Sequence, residues 1–166
     1  MNLHHRKIDF KNDREYVLER HCRINYECDC PWKRKMSYDE YRDEWFGMKN
    51  QTEGFFNSLK NSSADERTIA EIIVNEHGET VGYLWVPFKD DVESGFCFAD
   101  VQDLYIEDKF RAIGVATKLM DYAEIKAKEN GAKVIRSGTG CENNNSIALH
   151  EKLGYYQYRY EFEKLL

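Results

Sequence analysis

"DLYIEDKFRAIGVATKLM", residues 103–120, decides how this chain folds. It joins the end of a β-rich run to the start of a helical period. From Gly114 to Glu129, Val115, Leu119, Met120, Tyr122 and Ile125 recur on or near one side, which predicts an amphipathic helix. The link is Arg111-Ala112-Ile113-Gly114-Val115-Ala116, and it runs straight into that helix. Gly114 lets the backbone come close to a ligand, and Ala116 is small to the same effect. The first amides of a helix lack intrahelical partners, and with the helix dipole they suit an anion such as a pyrophosphate. Arg111 adds positive charge. A strand–loop–helix with one Gly and one Arg is also a common plain connection, so this stretch alone leaves both readings open.

Working outward, "TIAEIIVNEHGETVGYLWVPF", residues 68–88, predicts a hairpin: two β-rich runs flank Glu76-His77-Gly78-Glu79, where Gly supplies a positive φ. A long strand from about Phe96 to Ile106 follows. Upstream, Arg6–Phe10 is a candidate opening strand, and Asn12 or Asp13 caps a helix to about Cys28. Pro31 breaks the chain. Ser37 with Glu40 three residues on forms a capping box for a second helical region, which Gly47 and Gly54 bend or interrupt. Downstream, Gly131 ends the amphipathic helix, Lys133–Arg136 is a strand, and Asn145 or Ser146 opens a helix containing His150. Tyr155–Glu163, with alternating aromatics, is a last strand. The order predicts a mixed α/β (α+β) fold, one sheet with helices on both faces.

A chain of 166 residues fits one domain, residues 1–166, with a sizeable core. A hydrophobic share of 42% separates it from disordered sequence. A net charge of −6 argues against a nucleic-acid partner, which needs a basic face. No run approaches a membrane span, and the N-terminus lacks an apolar core of signal-peptide length, so a cytoplasmic location is expected. The five cysteines, an odd number, fit reduced thiols there. Cys28-Asp29-Cys30 beside His21 and Cys22 matches no standard zinc spacing, and no metal is expected.

Two motifs carry a resemblance. Arg111-x-x-Gly114-x-Ala116, following Leu104-Tyr105-Ile106 at the right interval, resembles the cofactor motif of the GCN5-related N-acetyltransferases (GNAT). Asn143-Asn144-Asn145-Ser146-Ile147-Ala148-Leu149-His150-Glu151-Lys152-Leu153-Gly154-Tyr155 is similar to that family's second motif, which has Asn at its start and Tyr or His before Glu-Lys-Leu-Gly. The hairpin "HGETVGYL" also looks like the family's second and third strands. The resemblance runs from about Ile69 to Tyr160 and is weak over the N-terminal part, where the family varies with its substrates.

The resemblance implies the acyl-CoA N-acyltransferase fold, a mixed, mostly antiparallel twisted sheet flanked by helices. It implies an acetyl-CoA-dependent N-acetyltransferase. The pantetheine arm of acetyl-CoA would pair with the backbone of Leu104, Tyr105 and Ile106. The amides of Arg111, Ala112, Ile113, Gly114, Val115, Ala116 and Thr117 would wrap the pyrophosphate. An amide near Leu104 or Tyr105 would stabilise the oxyanion. Asn143 matches the family Asn at the pantetheine arm, with Ser146 and His150 following on the cofactor side; a turn or cap role is the plain alternative for Asn143.

Transfer needs a neutral amine, so a base or a water relay must take a proton. Counting back from Arg111 puts Asp100 where histone-modifying members carry a glutamate base, and Asp103 at a common acidic position near substrate. Gln102 stands where polyamine-acetylating relatives have a glutamate. Strand alternation puts Asp100, Gln102, Leu104 and Ile106 on one face and Val101, Asp103 and Tyr105 on the other, unless a bulge intervenes. Local hydrogen bonding or ion pairing is the competing role for both aspartates. His150 stands where much of the family places the Tyr that assists the leaving thiolate; phosphinothricin acetyltransferases also have His there. A helix histidine without proton transfer is the alternative.

Trp32, Tyr38, Tyr41, Trp45 and Phe46 among Asp39, Glu40, Asp43 and Glu44 suit a cation, or else form one buried aromatic face with a solvated acidic one. Trp32, Tyr38, Trp45 and Asp103 are the expected acceptor contacts. A small cationic amine, such as a polyamine or aminoglycoside, is the leading acceptor class. A peptide or protein amine, and an acyl-CoA-binding regulatory module without turnover, are the rivals. A homodimer stays possible.

Overall fold

The computed structural model describes residues 1–28, 35–93, 95–164 and 166. Along the chain run β1 (Leu3–Lys7), α1 (Arg14–Cys28), α2 (Tyr38–Gly47), α3 (Lys49–Ser62), β2 (Ile69–Asn75), β3 (Thr80–Val86), β4 (Phe88–Asp91), β5 (Phe96–Val101), β6 (Asp103–Ile106), α4 (Val115–Glu129), β7 (Val134–Ser137) and α5 (Asn144–Lys152). A short 3₁₀ turn, Asp108–Phe110, sits between β6 and α4. The mixed α+β class expected from the sequence is what the chain adopts.

One sheet has the order β1-β2-β3-β6 and the other β4-β5-β7. All pairings in the first are antiparallel; in the second β4–β5 is antiparallel and β5–β7 parallel. The two sheets meet at matching breaks, Pro87 between β3 and β4 and Gln102 between β5 and β6. The Asp100 amide donates to the Pro87 carbonyl (2.9 Å) and the Gln102 amide to the Trp85 carbonyl (3.0 Å), which carries the ladder across the break. Proline has no amide to donate and is confined to such interruptions.

Side-chain alternation sends the two faces of β3 into two cores. Tyr83 and Trp85 pack with Val17, Cys22, Tyr41, Trp45, Phe56 and Leu59 from α1–α3. Leu84 and Val86 pack with Met120, Ala123 and Ala127 of α4. Helices therefore cover both faces. Gly82 allows the close approach of β3 and β6: a Cβ there would lie 2.0 Å from the Tyr105 carbonyl oxygen. The capping box at α2 forms as its spacing predicts, with the Ser37 amide donating to Glu40 Oε2 at 2.8 Å and the Glu40 amide to Ser37 Oγ at 3.3 Å.

Four expectations need correcting. The opening strand is Leu3–Lys7 and not Arg6–Phe10, because β1 pairs along β2 with Leu3 opposite Asn75. The long strand Phe96–Ile106 is two strands, β5 and β6, parted at Gln102. Helix α5 begins at Asn144, one or two residues earlier than expected, since Asn143 is its cap. Residues 155–163 form no strand. Tyr156, Tyr158, Tyr160 and Phe162 are exposed, and among the described residues no strand pairs with this segment or with the outer edge of β7. Alternation records only which face would be buried; a strand also needs a ladder partner.

Candidate functional site

The break at Gln102 changes which side chains share a face. Val101 and Leu104, on opposite faces in the expected alternation, both pack in the core on the α4 side. Asp103 and Tyr105 face α1 instead, where Asp103 meets His21 and Tyr105 joins the α1–α3 core. A residue inserted at a bulge shifts the pleat by one, and that is the physical reason the simple alternation fails here.

β6 lies at the edge of its sheet, with β3 on one side. On the other side β5 and β7 run parallel only as far as Val101 opposite Ser137. Beyond that point the two sheets part, and among the described residues no strand pairs the outer edge of Leu104, Tyr105 and Ile106. Their backbone groups on that edge are available to an extended, amide-bearing chain.

The edge leads directly to the N-terminus of α4. Gly114 caps that helix with φ 85°, without a side-chain hydrogen bond, and the first turn holds no acidic residue. Ala112 also takes a positive φ, 60°. Residues 111–114 are exposed. This is a helix N-terminus with its amides and dipole uncompensated, and such a terminus binds anions. Arg111 does not extend outward from it. Its Nε donates to the Ile106 carbonyl (2.8 Å) and lies 3.2 Å from Asp108 Oδ1, its guanidinium reaches Glu27 at 3.7 Å, and it sits over the Tyr105 ring. Arg111 thus ties the end of β6 to the loop.

The far wall is α5. Asn143 accepts from the Ser146 amide (3.2 Å), the N-cap role, while its Nδ2 points to Cys28 Sγ at 3.8 Å. Gly140 admits the end of α1 here, since a Cβ would lie 2.6 Å from the Cys28 carbonyl oxygen. His150 Nδ1 donates to the Ser146 carbonyl at 2.7 Å. In the neutral ring this leaves Nε2 as a bare acceptor. His150 Nε2 and the Tyr155 hydroxyl are buried with no hydrogen-bond partner among the described residues, and the two rings meet edge-on at 5.2 Å. Burial, with the nearby Glu124 carboxylate, pushes the Tyr155 phenol up.

The two aspartates differ. Asp100 is held by Lys89 Nζ (2.5 Å) and by Gln102 Nε2 (2.6 Å). Asp103 is 2% exposed and accepts from His21 Nδ1 at 2.8 Å and from the Tyr83 hydroxyl. Complete burial beside that carboxylate pushes the Tyr83 phenol well above its ordinary range. The sequence reading named His21 only beside Cys22, Cys28 and Cys30 as an unlikely metal cluster, and nothing in the spacing tied it to Asp103.

Of the expected acceptor contacts, Trp45 is buried in the α1–α3 core with its ring 5.9 Å from that of His21. Tyr38 is half-buried under the Arg23 guanidinium, and burial pushes its phenol up to about 12. Trp32 lies outside the described residues. Asp39, Glu40, Asp43 and Glu44 are exposed. Among the described residues no cluster of His, Cys, Asp and Glu could hold a metal, and no helix is long and apolar enough to cross a membrane.

The chain is 23% identical over 150 residues to an uncharacterized N-acetyltransferase of Methanocaldococcus jannaschii, covering 87% of this chain and 57% of that one. It therefore spans little more than half the length of that relative. The fold is shared with a solved transcriptional regulator from Bacillus halodurans C-125 (TM-score 0.66, 19% identity, 99% of this chain and 100% of that chain). It is shared as well with AAC(6')-Iy, solved with the bisubstrate analog CoA-S-monomethyl-acetylneamine (TM-score 0.65, 16% identity, 100% of this chain and 99% of that chain). The model of the acetyltransferase (GNAT) family matches residues 26–155, most of the chain. The chain belongs to the GNAT acetyltransferase family.

Proposed function

We propose that residues 1–166 act as one N-acetyltransferase domain that moves an acetyl group from acetyl-CoA to the primary amine of a small cationic acceptor. The observation that carries this reading is the continuity of two features. The edge of Leu104–Ile106, unpaired among the described residues, runs into the N-terminus of α4, which no side chain caps. The first suits the amides of a pantetheine arm and the second suits a pyrophosphate.

In this reading the backbones of Leu104, Tyr105 and Ile106 hold the arm, and the amides of Arg111 to Thr117 hold the phosphates. Arg111 acts mainly by fixing the loop, since its guanidinium is engaged with Ile106, Asp108 and Glu27. Asn143 and Ser146 frame the opposite wall. An amide of β6 stabilises charge developing on the thioester oxygen. His150 stands by the leaving sulfur. With Nδ1 bound to the Ser146 carbonyl, it would donate from Nε2 as an imidazolium. Asp100 is the carboxylate the family position offers as base, already engaged by Lys89 and Gln102, and Asp103 lies beside the acceptor.

The acceptor class is supported by the exposed carboxylates of α2 beside the aromatic residues Tyr38 and Phe46. The fold shared with AAC(6')-Iy in complex with an acetylneamine analog points the same way. Release of free thiol from acetyl-CoA across a panel of polyamines, aminoglycosides and peptides tests the proposal. Amine-dependent release supports it. Tight CoA binding without release for any amine would overturn it in favour of an acyl-CoA-binding module. His150→Ala should slow release about tenfold or more with CoA affinity retained; an unchanged rate would remove the acid role.

A further inference from the structure

We infer that His21, held by Asp103, is the general base that deprotonates the acceptor amine; this rests on the transfer reading above. Four observations converge on the imidazole. Its Nδ1 faces the Asp103 carboxylate at 2.8 Å, so the neutral ring carries its proton there and leaves Nε2 a bare lone pair. Asp103 is 2% exposed and also receives the Tyr83 hydroxyl, which fixes the carboxylate in turn. The ring is clamped flat on Phe55, 3.6 Å between centroids at 10°, with Trp45 at 5.9 Å. Nothing among the described residues bonds Nε2, and the His21 side chain keeps 17% exposure. A histidine oriented by a buried carboxylate is the arrangement that general-base chemistry uses.

Position makes the arrangement relevant. Asp103 immediately precedes Leu104, where the open strand edge begins. α1, α2 and α3 bring His21, Trp45 and Phe55 to that point. Among the described residues, the groups facing the imidazole are Asp103 of β6, Tyr83 of β3 behind it, Trp45 of α2 and Phe55 of α3, of which Asp103 and Tyr83 are titratable.

The step balances without another reactant. An ammonium proton moves to Nε2, the amine nitrogen bonds to the thioester carbon, and the carbon–sulfur bond breaks with its electron pair leaving on sulfur. The imidazolium then returns its proton to water. Asp103 is a positioning residue in this step.

The test compares wild type with His21→Asn, whose amide can still donate to Asp103 but cannot accept a proton. CoA affinity and folding should be unchanged. The rate with an alkylamine at pH 7 should fall about a hundredfold. The deficit should shrink as pH rises towards the pKa of the amine, and also with a fluorinated ethylamine, which is largely neutral at pH 7. Asp103→Asn serves if His21→Asn fails to fold. It should lower kcat and move the acid side of the pH–rate profile to lower pH, with CoA affinity kept. A wild-type rate in a folded His21→Asn protein would overturn the inference alone. Wild type that binds CoA but acetylates no amine would overturn the transfer reading, and this inference with it.

Discussion

The Arg111 guanidinium turns back onto its own strand and donates from Nε to the Ile106 carbonyl oxygen at 2.8 Å. A loop that must present its amides outward is thereby fixed at its entrance, next to two residues of positive φ, Ala112 and Gly114. A charged donor bonded to a carbonyl contributes about 1.5–3 kcal/mol.

Arg111→Ala should therefore weaken CoA binding by about tenfold to a hundredfold through loss of loop order. Arg111→Lys should recover only part of that, since an ammonium cannot meet Ile106, Asp108 and Glu27 together. Arg111→Glu should be worse than either. Calorimetric titration with CoA measures all three, and full affinity in Arg111→Glu would remove Arg111 from the account.

Gly82→Ala is expected to be severe. Its methyl would meet the Tyr105 carbonyl oxygen at 2.0 Å and the Ile106 Cα at 3.2 Å, both backbone atoms that cannot step aside. Overpacking of this kind costs about 3 kcal/mol or more. It should also push β6 away from β3, so that CoA affinity falls along with the thermal midpoint. A neutral result would mean that the β3–β6 pairing is looser than described.

Asn143 can be separated into two roles. Asn143→Ala should cost about 1 kcal/mol, because the Ser146 amide loses its cap. Asn143→Asp keeps an oxygen for that amide and should retain stability, yet it loses the Nδ2 that faces Cys28 Sγ. If Asn143 also serves the pantetheine arm, Asn143→Asp weakens CoA binding without unfolding the protein. Thermal melts beside CoA titrations distinguish the two.

Acid should loosen the N-terminal part at Asp13. The Arg6 guanidinium, bound through two nitrogens at 2.6 and 2.8 Å, holds this carboxyl below its ordinary 3.8, with help from the Asp9 amide. A native value below the unfolded one means stability that is fully present above about pH 4 and is lost as pH falls through the lower native value. Asp13→Asn should remove that part of the acid sensitivity and lower stability at pH 7 by about 1–2 kcal/mol. Denaturant melts from pH 7 to pH 2 measure both effects.

How far these features could be read in advance depended on the range of the interaction that makes them. The hairpin, the α2 capping box and the Arg111–Ala116 turn into α4 are local, and composition and spacing within a few residues predict them. The separation of β5 from β6 is not local. It depends on Pro87 in the partner strand, opposite the break at Gln102, and it moves Asp103 to the α1 side. For the same reason the sequence favoured Asp100, whose carboxylate is taken by Lys89 and Gln102, and overlooked His21, which lies far from Asp103 in the chain. The aromatic stripe Trp32, Tyr38, Tyr41, Trp45 and Phe46 read as a cation site or as core; Tyr41 and Trp45 are buried in the core, Tyr38 and Phe46 pack partly buried against it, and Trp32 lies outside the described residues.

The most direct measurement follows both products of one reaction: thiol released from acetyl-CoA and acetylated amine by mass spectrometry, with wild-type protein and a panel of small cationic amines. The account predicts amine-dependent thiol release matched mole for mole by acetylated amine. Thiol released without acetylated amine, or none released while CoA binds, would contradict it.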